Sequence, residues 1–249
     1  FVQSSFGDWN LEAGLRLQND QLRPTRRNQS ARDRFIKDKG YTTLSGALSI
    51  LYSVNEHTGI GLSFGRSTRT PSIEELYSEG PHLAAYSYET GNPELGYERG
   101  WTAEVFGFYK NEGIFLLLTG FRNDFGYFIS PRNTGRINFA TLLPVYEAQG
   151  NAAIFHGFEA KAEISLWYGF SFESGISYTY AYHPGSGLPV AGIPPLRALL
   201  TLQYTSGQAL AGISTELANA QNRVDLFEQA TAGYGVVNAF FQYRISGQE

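Results

Sequence analysis

Two arginines in an aromatic-rich segment are the first residues whose types suggest binding chemistry. Arg132 and Arg136 fall within residues 125–151, which we predict to be a long loop. Guanidinium groups beside aromatic rings can hold an anionic or aromatic ligand through charge and cation–π contacts. The same side chains could instead pack the loop against its neighbours, and the sequence leaves both possibilities open. The aromatic residues of this segment include Phe125, Tyr127, Phe128, Phe139 and Tyr146.

Catalytic chemistry has little support in the sequence. Ser174, Ser177 and Ser186 are not flanked by the Gly-x-Ser-x-Gly pattern of a hydrolase nucleophile. Cysteine is absent, which excludes a catalytic thiol and a thiolate metal site. A net charge of −4 argues against nucleic-acid binding, because such proteins usually carry a basic surface. We therefore predict that the protein is not an enzyme, and we expect no cofactor and no nucleic-acid partner.

We predict that β-strands position the candidate binding side chains, because hydrophobicity repeats every two residues along the chain. In residues 157–166 the apolar side chains alternate with Glu159, Lys161 and Glu163, and residues 11–18, 196–204 and 237–244 alternate in the same way. Period-two alternation sends successive side chains to opposite faces of a sheet. The polar face then carries charges in mid-strand, and these are Glu104, Lys110, Glu159, Lys161, Glu163, Glu173 and Arg197.

The connections between the strands alternate between tight turns and long loops. A meander of this kind is typical of a transmembrane β-barrel, and several strands have the length of about 9–11 residues that spanning requires. Aromatic residues make up 15% of the chain and the mean hydropathy is −0.25, as expected for a wall with one lipid face and one wet face. We predict ten strands and the tail of an earlier one; a soluble β-sandwich or barrel is the alternative. The predicted tight turns are Gly7-Asp8, Val54–His57, Asn111–Gly113, Trp167–Gly169 and Ser206–Gln208, and the predicted long loops are 19–40, 68–96, 125–151, 182–194 and 219–232.

The first long loop is basic. Residues 19–40 contain seven cationic side chains and three aspartates. An outer loop of this sign could attract lipopolysaccharide phosphates or an anionic ligand complex over a long range. A solvated loop without a partner is the alternative. The cations are Arg23, Arg26, Arg27, Arg32, Arg34, Lys37 and Lys39, and the acids are Asp20, Asp33 and Asp38.

One motif resembles a known family. Residues 69–77 read Arg-Thr-Pro-Ser-Ile-Glu-Glu-Leu-Tyr, and residues 91–95 read Gly-Asn-Pro-Glu-Leu before an acidic residue at Glu98. This arrangement closely resembles TonB-dependent outer-membrane receptors, and the segment Ile193–Arg197 is similar to one that opens a late strand in that family. The resemblance implies that the motif residues hold the fold of the loop, and these are Arg69, Pro71, Glu75, Leu76, Tyr77, Gly91, Asn92 and Pro93.

The resemblance also implies an architecture and an activity. Such receptors have a 22-strand barrel filled by a plug domain, and they import iron-siderophores, haem, cobalamin or metal ions with energy from the TonB complex. This sequence departs from that pattern: it has about half the strands, no plug, no TonB box and no closing strands. We therefore expect residues 1–249 to form part of one outer-membrane barrel domain, with TonB, cargo, membrane lipid and lipopolysaccharide as partners. A small self-contained barrel enzyme of protease or phospholipase type, and a structural or adhesive barrel, are the alternatives.

Within the family, the sequence is nearest to the branch that includes zinc-uptake receptors. That similarity makes His82 the leading candidate for a ligand-facing residue, with Glu74, Glu75 and Glu89 nearby in the sequence. An imidazole with carboxylates suits a borderline divalent metal ion. An ordinary loop histidine is the alternative.

Overall fold

The computed structural model describes residues 1–24 and 36–245, and most of them lie in antiparallel β-strands. Eleven strands form one continuous wall in the order β1-β2-β3-β4-β7-β8-β9-β10-β11-β12-β13. This is the partial barrel predicted from ten strands and a tail. The elements are β1 Val2–Phe6, β2 Trp9–Leu22, β3 Lys39–Ser53, β4 Thr58–Arg69, α1 Ile73–Tyr77, β5 Glu79–His82, β6 Ser87–Thr90, β7 Glu98–Lys110, β8 Ile114–Ile137, β9 Pro144–Ser165, β10 Phe170–Tyr182, β11 Arg197–Ser206, β12 Ala209–Ala218 and β13 Tyr234–Tyr243.

The five tight turns lie where the sequence predicted them, all at one end of the wall, here called the turn end. Glycine at positive φ, 56° at Gly7 and 54° at Gly207, closes the first and the last of these turns. In the turn 111–113 an Asn side chain closes the turn: the Asn111 Oδ1 accepts hydrogen bonds from the backbone N–H groups of Gly113 and Ile114. The opposite end, here called the loop end, carries the long connections.

The strand register separates two faces of the wall. Glu159 pairs with Thr119 on β8 and with Ser177 on β10, so these polar side chains share one face. The neighbouring residues Leu118 and Phe158 point to the other face, where Leu118 is 58% exposed. Within the described residues, no helix is long and apolar enough to cross a membrane. The predicted charged set Glu104, Lys110, Glu159, Lys161, Glu163, Glu173 and Arg197 shares the polar face, which is the lumen face of a barrel.

The prediction of a long loop at 125–151 is wrong. β8 and β9 continue as a paired ribbon to Ile137 and Pro144, which leaves only residues 138–143 as the connection. Two register shifts, one between Phe125 and Phe128 and one between Asn133 and Ile137, keep the ladder paired across the glycine-rich sequence. Because bulges absorb the extra residues, the turn-forming residue types of this segment do not end the strands.

Two other predicted loops are also more ordered than expected. β2 extends to Leu22 and β3 begins at Lys39, so part of the predicted loop 19–40 is strand. Arg26, Arg27, Arg32, Asp33 and Arg34 of that loop lie outside the described residues. The connection 70–97 contains α1 and the hairpin β5–β6.

β6 joins the connection 70–97 to the β8–β9 ribbon. It pairs in parallel with β9, with Glu89 opposite Tyr146 and Thr90 opposite Glu147. β8 occupies the other edge of β9 at the same residues. Two segments that are distant in sequence therefore form one small sheet at the loop end.

Candidate functional site

Arg69 connects the two ends of the connection 70–97. Its guanidinium donates to both carboxylate oxygens of Glu75 at 2.8 and 3.0 Å and to Glu98 Oε2 at 3.1 Å. The same Glu98 oxygen accepts the backbone N–H of Ile129 on β8 at 3.0 Å. A bidentate arginine–carboxylate pair fixes orientation as well as distance. Arg69 therefore fastens the start of α1 to β7 and to the β8–β9 ribbon.

A capping box begins α1. The Ser72 hydroxyl accepts the backbone N–H of Glu75, and the Glu75 carboxylate accepts the backbone N–H of Ser72 at 2.8 Å. This reciprocal arrangement satisfies two N–H groups that a helix start leaves free. The nearby backbone N–H of Glu74 and the Ser72 hydroxyl lower the pKa of the Glu74 carboxyl below its ordinary value.

The centre of this connection is apolar and tightly packed. Leu76 is fully buried and forms a core with Leu95, Ile129 and Ala148. Gly91 passes directly over α1, so that a methyl group added there would lie 2.5 Å from the carbonyl carbon of Leu76. Side chains from the connection and from the ribbon share this core, so neither could pack in the same way alone.

The Gly-Asn-Pro segment is a turn docked on α1. The backbone N–H of Asn92 donates to the Glu75 carbonyl at 2.8 Å, and the Asn92 carbonyl accepts from Leu95. Pro93 occupies the position after Asn92, where its fixed φ suits a turn. Residues 69–98, held by these contacts, are here called the motif latch.

Three tyrosines also hold the latch, and the sequence motif had included one of them, Tyr77. Tyr41 of β3 donates its hydroxyl to the Leu95 carbonyl at 3.0 Å, and Tyr77 donates to the Lys37 carbonyl at 2.6 Å. Tyr127 of β8 accepts the backbone N–H of Gly96 at 3.2 Å. No local sequence pattern marks Tyr41 or Tyr127 for these contacts, because each partner is distant in sequence.

His82 and Glu89 face each other across the hairpin β5–β6. His82 Nδ1 lies 2.6 Å from Glu89 Oε1, and the Ser87 hydroxyl lies 3.4 Å from the same oxygen. The other two predicted ligands do not join them through any described contact, since Glu75 is held by Arg69 and Glu74 by the start of α1. Among residues 1–24 and 36–245 there is no group of three or more His, Cys, Asp or Glu side chains arranged to hold a metal ion. The pair therefore supplies two potential metal ligands, the imidazole of His82 and the carboxylate of Glu89.

Arg132 and Arg136 line one cavity of about 390 Å³ at the loop end. The cavity lies between the β8–β9 ribbon and residues 225–227, and Asn133, Gln149 and Phe227 contribute to its walls. Arg132 forms an ion pair with Asp225 at 3.4 Å. The Arg136 guanidinium has one described hydrogen bond, 3.4 Å from the Thr134 hydroxyl, and so keeps its charge available. The carboxylates of Asp225 and Glu147 also line the cavity, and Asp225 is the one paired with Arg132. The Arg136 cation, with the amide and aromatic groups, is the part of the lining that suits an anionic ligand with an apolar part.

Two further connections close over the lumen side beside this cavity. Residues 183–196 place Val190 against Ala153 and Ala181 in a buried cluster. Residues 219–233 are tied to them, because the Glu228 carboxylate accepts the backbone N–H of Gly192 at 2.9 Å. Phe125, Phe128 and Phe155 pack against the same cluster with ring centroids 5.0 to 5.6 Å apart. The sequence predicted both connections as loops but not their mutual contact.

The lumen face below carries paired charges around an open recess. Lys161 contacts Glu163 at 2.6 Å, and Arg197 pairs with Glu216, which also accepts the Tyr234 hydroxyl at 2.8 Å. Gly175, with nothing within 4 Å of a methyl group added to it, leaves space at the middle of a cavity of about 520 Å³. Glu159 and Glu173 also line this recess.

An antiparallel wall with a charged lumen face, an apolar outer face and an ordered loop end defines an outer-membrane type of β-barrel. Residues 1–248 match the model of the family described as TonB-dependent receptor-like, β-barrel. The chain belongs to this family. Members of this family are receptors and transporters of the outer membrane, so the barrel-enzyme alternative is excluded.

Solved structures show the same fold. The copper transporter OprC superposes with a TM-score of 0.81 at 19% identity, over 97% of this chain and 38% of that chain. The siderophore receptor PirA from Pseudomonas aeruginosa superposes with a TM-score of 0.66 at 17% identity, over 97% of this chain and 40% of that chain. The FrpB iron transporter from Neisseria meningitidis superposes with a TM-score of 0.68 at 16% identity, over 97% of this chain and 37% of that chain. The chain therefore spans well under half the length of the proteins it resembles.

Proposed function

We propose that this chain is part of a bacterial TonB-dependent receptor that imports a scarce nutrient through a plugged, multi-pass outer-membrane barrel. The observation that carries the proposal is the family match over residues 1–248. The plug and the TonB box, through which the inner-membrane TonB complex supplies energy, belong to other parts of such a receptor. In this proposal the apolar face meets membrane lipid, and the basic residues of 19–40 meet lipopolysaccharide phosphates.

We propose an anionic metal chelate, such as an iron–siderophore complex, as the cargo. The cavity beside Arg136 supports this choice. Asp225 in its lining is paired with Arg132, whereas Arg136 has no described contact with Asp225 or Glu147 and lies with amide and aromatic groups. The motif latch would set its position, since β6 of the latch pairs with β9, the strand that supplies Glu147 and Gln149 to the cavity. Cargo would then meet the loop end first and pass inward when the plug rearranges.

The test is binding of ferric citrate and ferric catecholate complexes to the full-length receptor and to its Arg136→Gln variant. A charge-assisted hydrogen bond contributes about 1.5–3 kcal/mol, so we expect binding of the recognised complex to weaken at least about tenfold. Arg66→Gln is the matched control, because Arg66 lies on the outer face of β4, away from the cavity, and contacts the Trp101 ring. Equal binding by the receptor and the Arg136→Gln variant would contradict the role of this cavity.

A second cargo, a divalent metal ion from the zinc-uptake branch, is favoured by the pair His82 and Glu89. Their 2.6 Å contact brings an imidazole and a carboxylate together, and cargo or another residue would have to complete the coordination. Calorimetric titration of the receptor with Zn²⁺ and Cu²⁺ tests this alternative. Loss of binding in His82→Ala, with binding kept in His57→Ala at the turn end, would support it. Unchanged metal affinity in His82→Ala would remove it.

A further inference from the structure

The apolar outer face of the wall carries a compact polar cluster. Arg122 on β8 is the cross-strand partner of His156 on β9, and His156 is the partner of Tyr180 on β10. All three positions alternate with lumen-facing residues and so share the face of Leu118 and Phe158. With Tyr182 and Arg223, these residues are here called the outer-wall cluster.

The side chains of the cluster contact one another. The His156 ring lies 4.9 Å from the Tyr180 ring and 6.4 Å from the Tyr182 ring. Arg223 reaches from residues 219–233 and places its guanidinium carbon 3.4 Å from the centre of the Tyr180 ring. The loop connection therefore extends over the rim of the wall and adds a cation to the lipid-facing side.

The height of the cluster corresponds to the outer edge of the apolar band. Phe170 packs against Tyr204 with the ring centroids 4.8 Å apart, and this pair marks the girdle of aromatic side chains at the turn end. At about 3.3 Å per residue and a tilt of ~40°, Tyr180 on the same strand lies ~25 Å further along the membrane normal. An apolar band is about 25 Å tall in such barrels. Arg122, His156 and Tyr180 thus lie where lipid headgroups begin.

The charge of the cluster is positive. Asp124 accepts two hydrogen bonds from Arg122, both at 2.9 Å, through Nε and Nη2. The Nη1 of Arg122 has no described hydrogen bond, and in the described part of the chain Arg223 forms no ion pair. Two arginines with one aspartate, beside a histidine, leave an excess of positive charge on a surface that faces lipid.

We infer that the outer-wall cluster binds a phosphate group of an outer-leaflet glycolipid of the lipopolysaccharide type. Arginine donors match phosphate oxygens, and the tyrosine hydroxyls and the imidazole add donors on the same side. Below the cluster the outward side chains Leu118, Phe158 and Ile176 are apolar and would lie against the acyl chains. This site is separate from the basic residues of 19–40, and it does not depend on which cargo is imported.

The test measures lipid retention by the full-length receptor. The receptor is purified in a neutral detergent, and native mass spectrometry counts the molecules of diphosphorylated lipid A or phosphatidylcholine that it keeps at increasing lipid concentration. Near a membrane surface each basic residue strengthens the binding of an anionic lipid about fivefold. We expect lipid A binding to weaken about fivefold in Arg223→Gln and about 25-fold in Arg122→Gln/Arg223→Gln.

The matched control is Arg16→Gln, because Arg16 lies on the lumen face of β2, paired with Ser45. Its lipid A retention should equal that of the unchanged receptor, and phosphatidylcholine retention should be alike in all variants. Unchanged lipid A retention in a folded Arg223→Gln receptor would overturn the inference, as would an equal loss in Arg16→Gln. Arg223 lies in a connection outside the wall strands, so the single variant keeps the test decisive if the double variant does not fold.

Discussion

At the scale of residues, the family motif acts chiefly through contacts inside the chain. Arg69, Glu75 and Glu98 satisfy one another, and Leu76 is fully buried. The predicted ligand Glu75 is thereby committed to the helix start and to Arg69. The side chains of His82 and Glu89 are partly exposed, and the Arg136 guanidinium has one described hydrogen bond. Among the candidate residues, these three have the chemistry left for a ligand.

A prediction at this scale concerns Gly91. Gly91→Ala should loosen the motif latch, because the new methyl group would lie 2.5 Å from the carbonyl carbon of Leu76 and the nitrogen of Tyr77. Overpacking of this kind costs about 1–3 kcal/mol. Amide hydrogen exchange of residues 72–78 in the full-length receptor should become faster by the factor that this loss of free energy implies. Gly80→Ala in the same connection should change nothing, since nothing lies within 4 Å of a methyl group there; equal exchange in both variants would contradict the assignment.

At the scale of elements, the loop end is built by pairing rather than by independent loops. β6 extends the sheet of β8 and β9, and Glu98 at the start of β7 accepts the backbone N–H of Ile129 on β8. Residues 183–196 and 219–233 are tied through Gly192 and Glu228. The cavity that holds Arg132 and Arg136 is thus bounded by elements that support one another.

Arg69→Gln should separate the latch from the ribbon. The Glu98 side chain is 12% exposed and would lose its cationic partner, and a buried group left unsatisfied costs about 1–3 kcal/mol. Amide hydrogen exchange should become faster both in residues 70–98 and at the Ile129 amide. Arg66→Gln, three residues earlier on β4, serves as the control because Arg66 contacts the Trp101 ring instead of a carboxylate. An increase confined to residues near 69, with Ile129 unchanged, would show that the two elements are not coupled.

At the scale of the whole molecule, the wall separates two solvents. Apart from the outer-wall cluster, the mid-strand charges named above lie on the lumen face, and most of the exposed apolar side chains lie on the outer face. Because a strand alternates its faces, adjacent residues with the same side chain experience different surroundings. This alternation makes a direct test of orientation possible on a single strand.

Leu118→Arg and Leu117→Arg form that test. Leu118 points outward at 58% exposure, whereas Leu117 lines the lumen recess. A charge on the lipid face near the midplane destabilises a barrel by about 2–4 kcal/mol, and a lumen charge has little effect. Urea unfolding of the receptor in lipid vesicles should therefore show a large loss for Leu118→Arg alone. Equal losses in the two variants would mean that the faces are assigned wrongly.

Much of the wall follows from local sequence. Period-two alternation predicted the eleven wall strands and the orientation of the charged set, since it depends only on backbone geometry. Glycine and asparagine predicted the tight turns, because positive φ and side-chain caps are local properties. The motif at 69–99 predicted the family for the same reason, as its spacing is readable without contacts.

Tertiary structure alone decided the arrangement at the loop end. The ribbon at 125–151 resembles a loop in sequence, because its pairing depends on bulges and on a core shared with Leu76 and Leu95. The contact of Tyr41 with Leu95 and the position of Arg223 over Tyr180 join residues far apart in the chain. Such contacts depend on strand register and shared burial, which a single sequence does not encode locally. Sequence by itself therefore determined which barrel family this chain belongs to, and the folded chain determined which side chains remain free to bind.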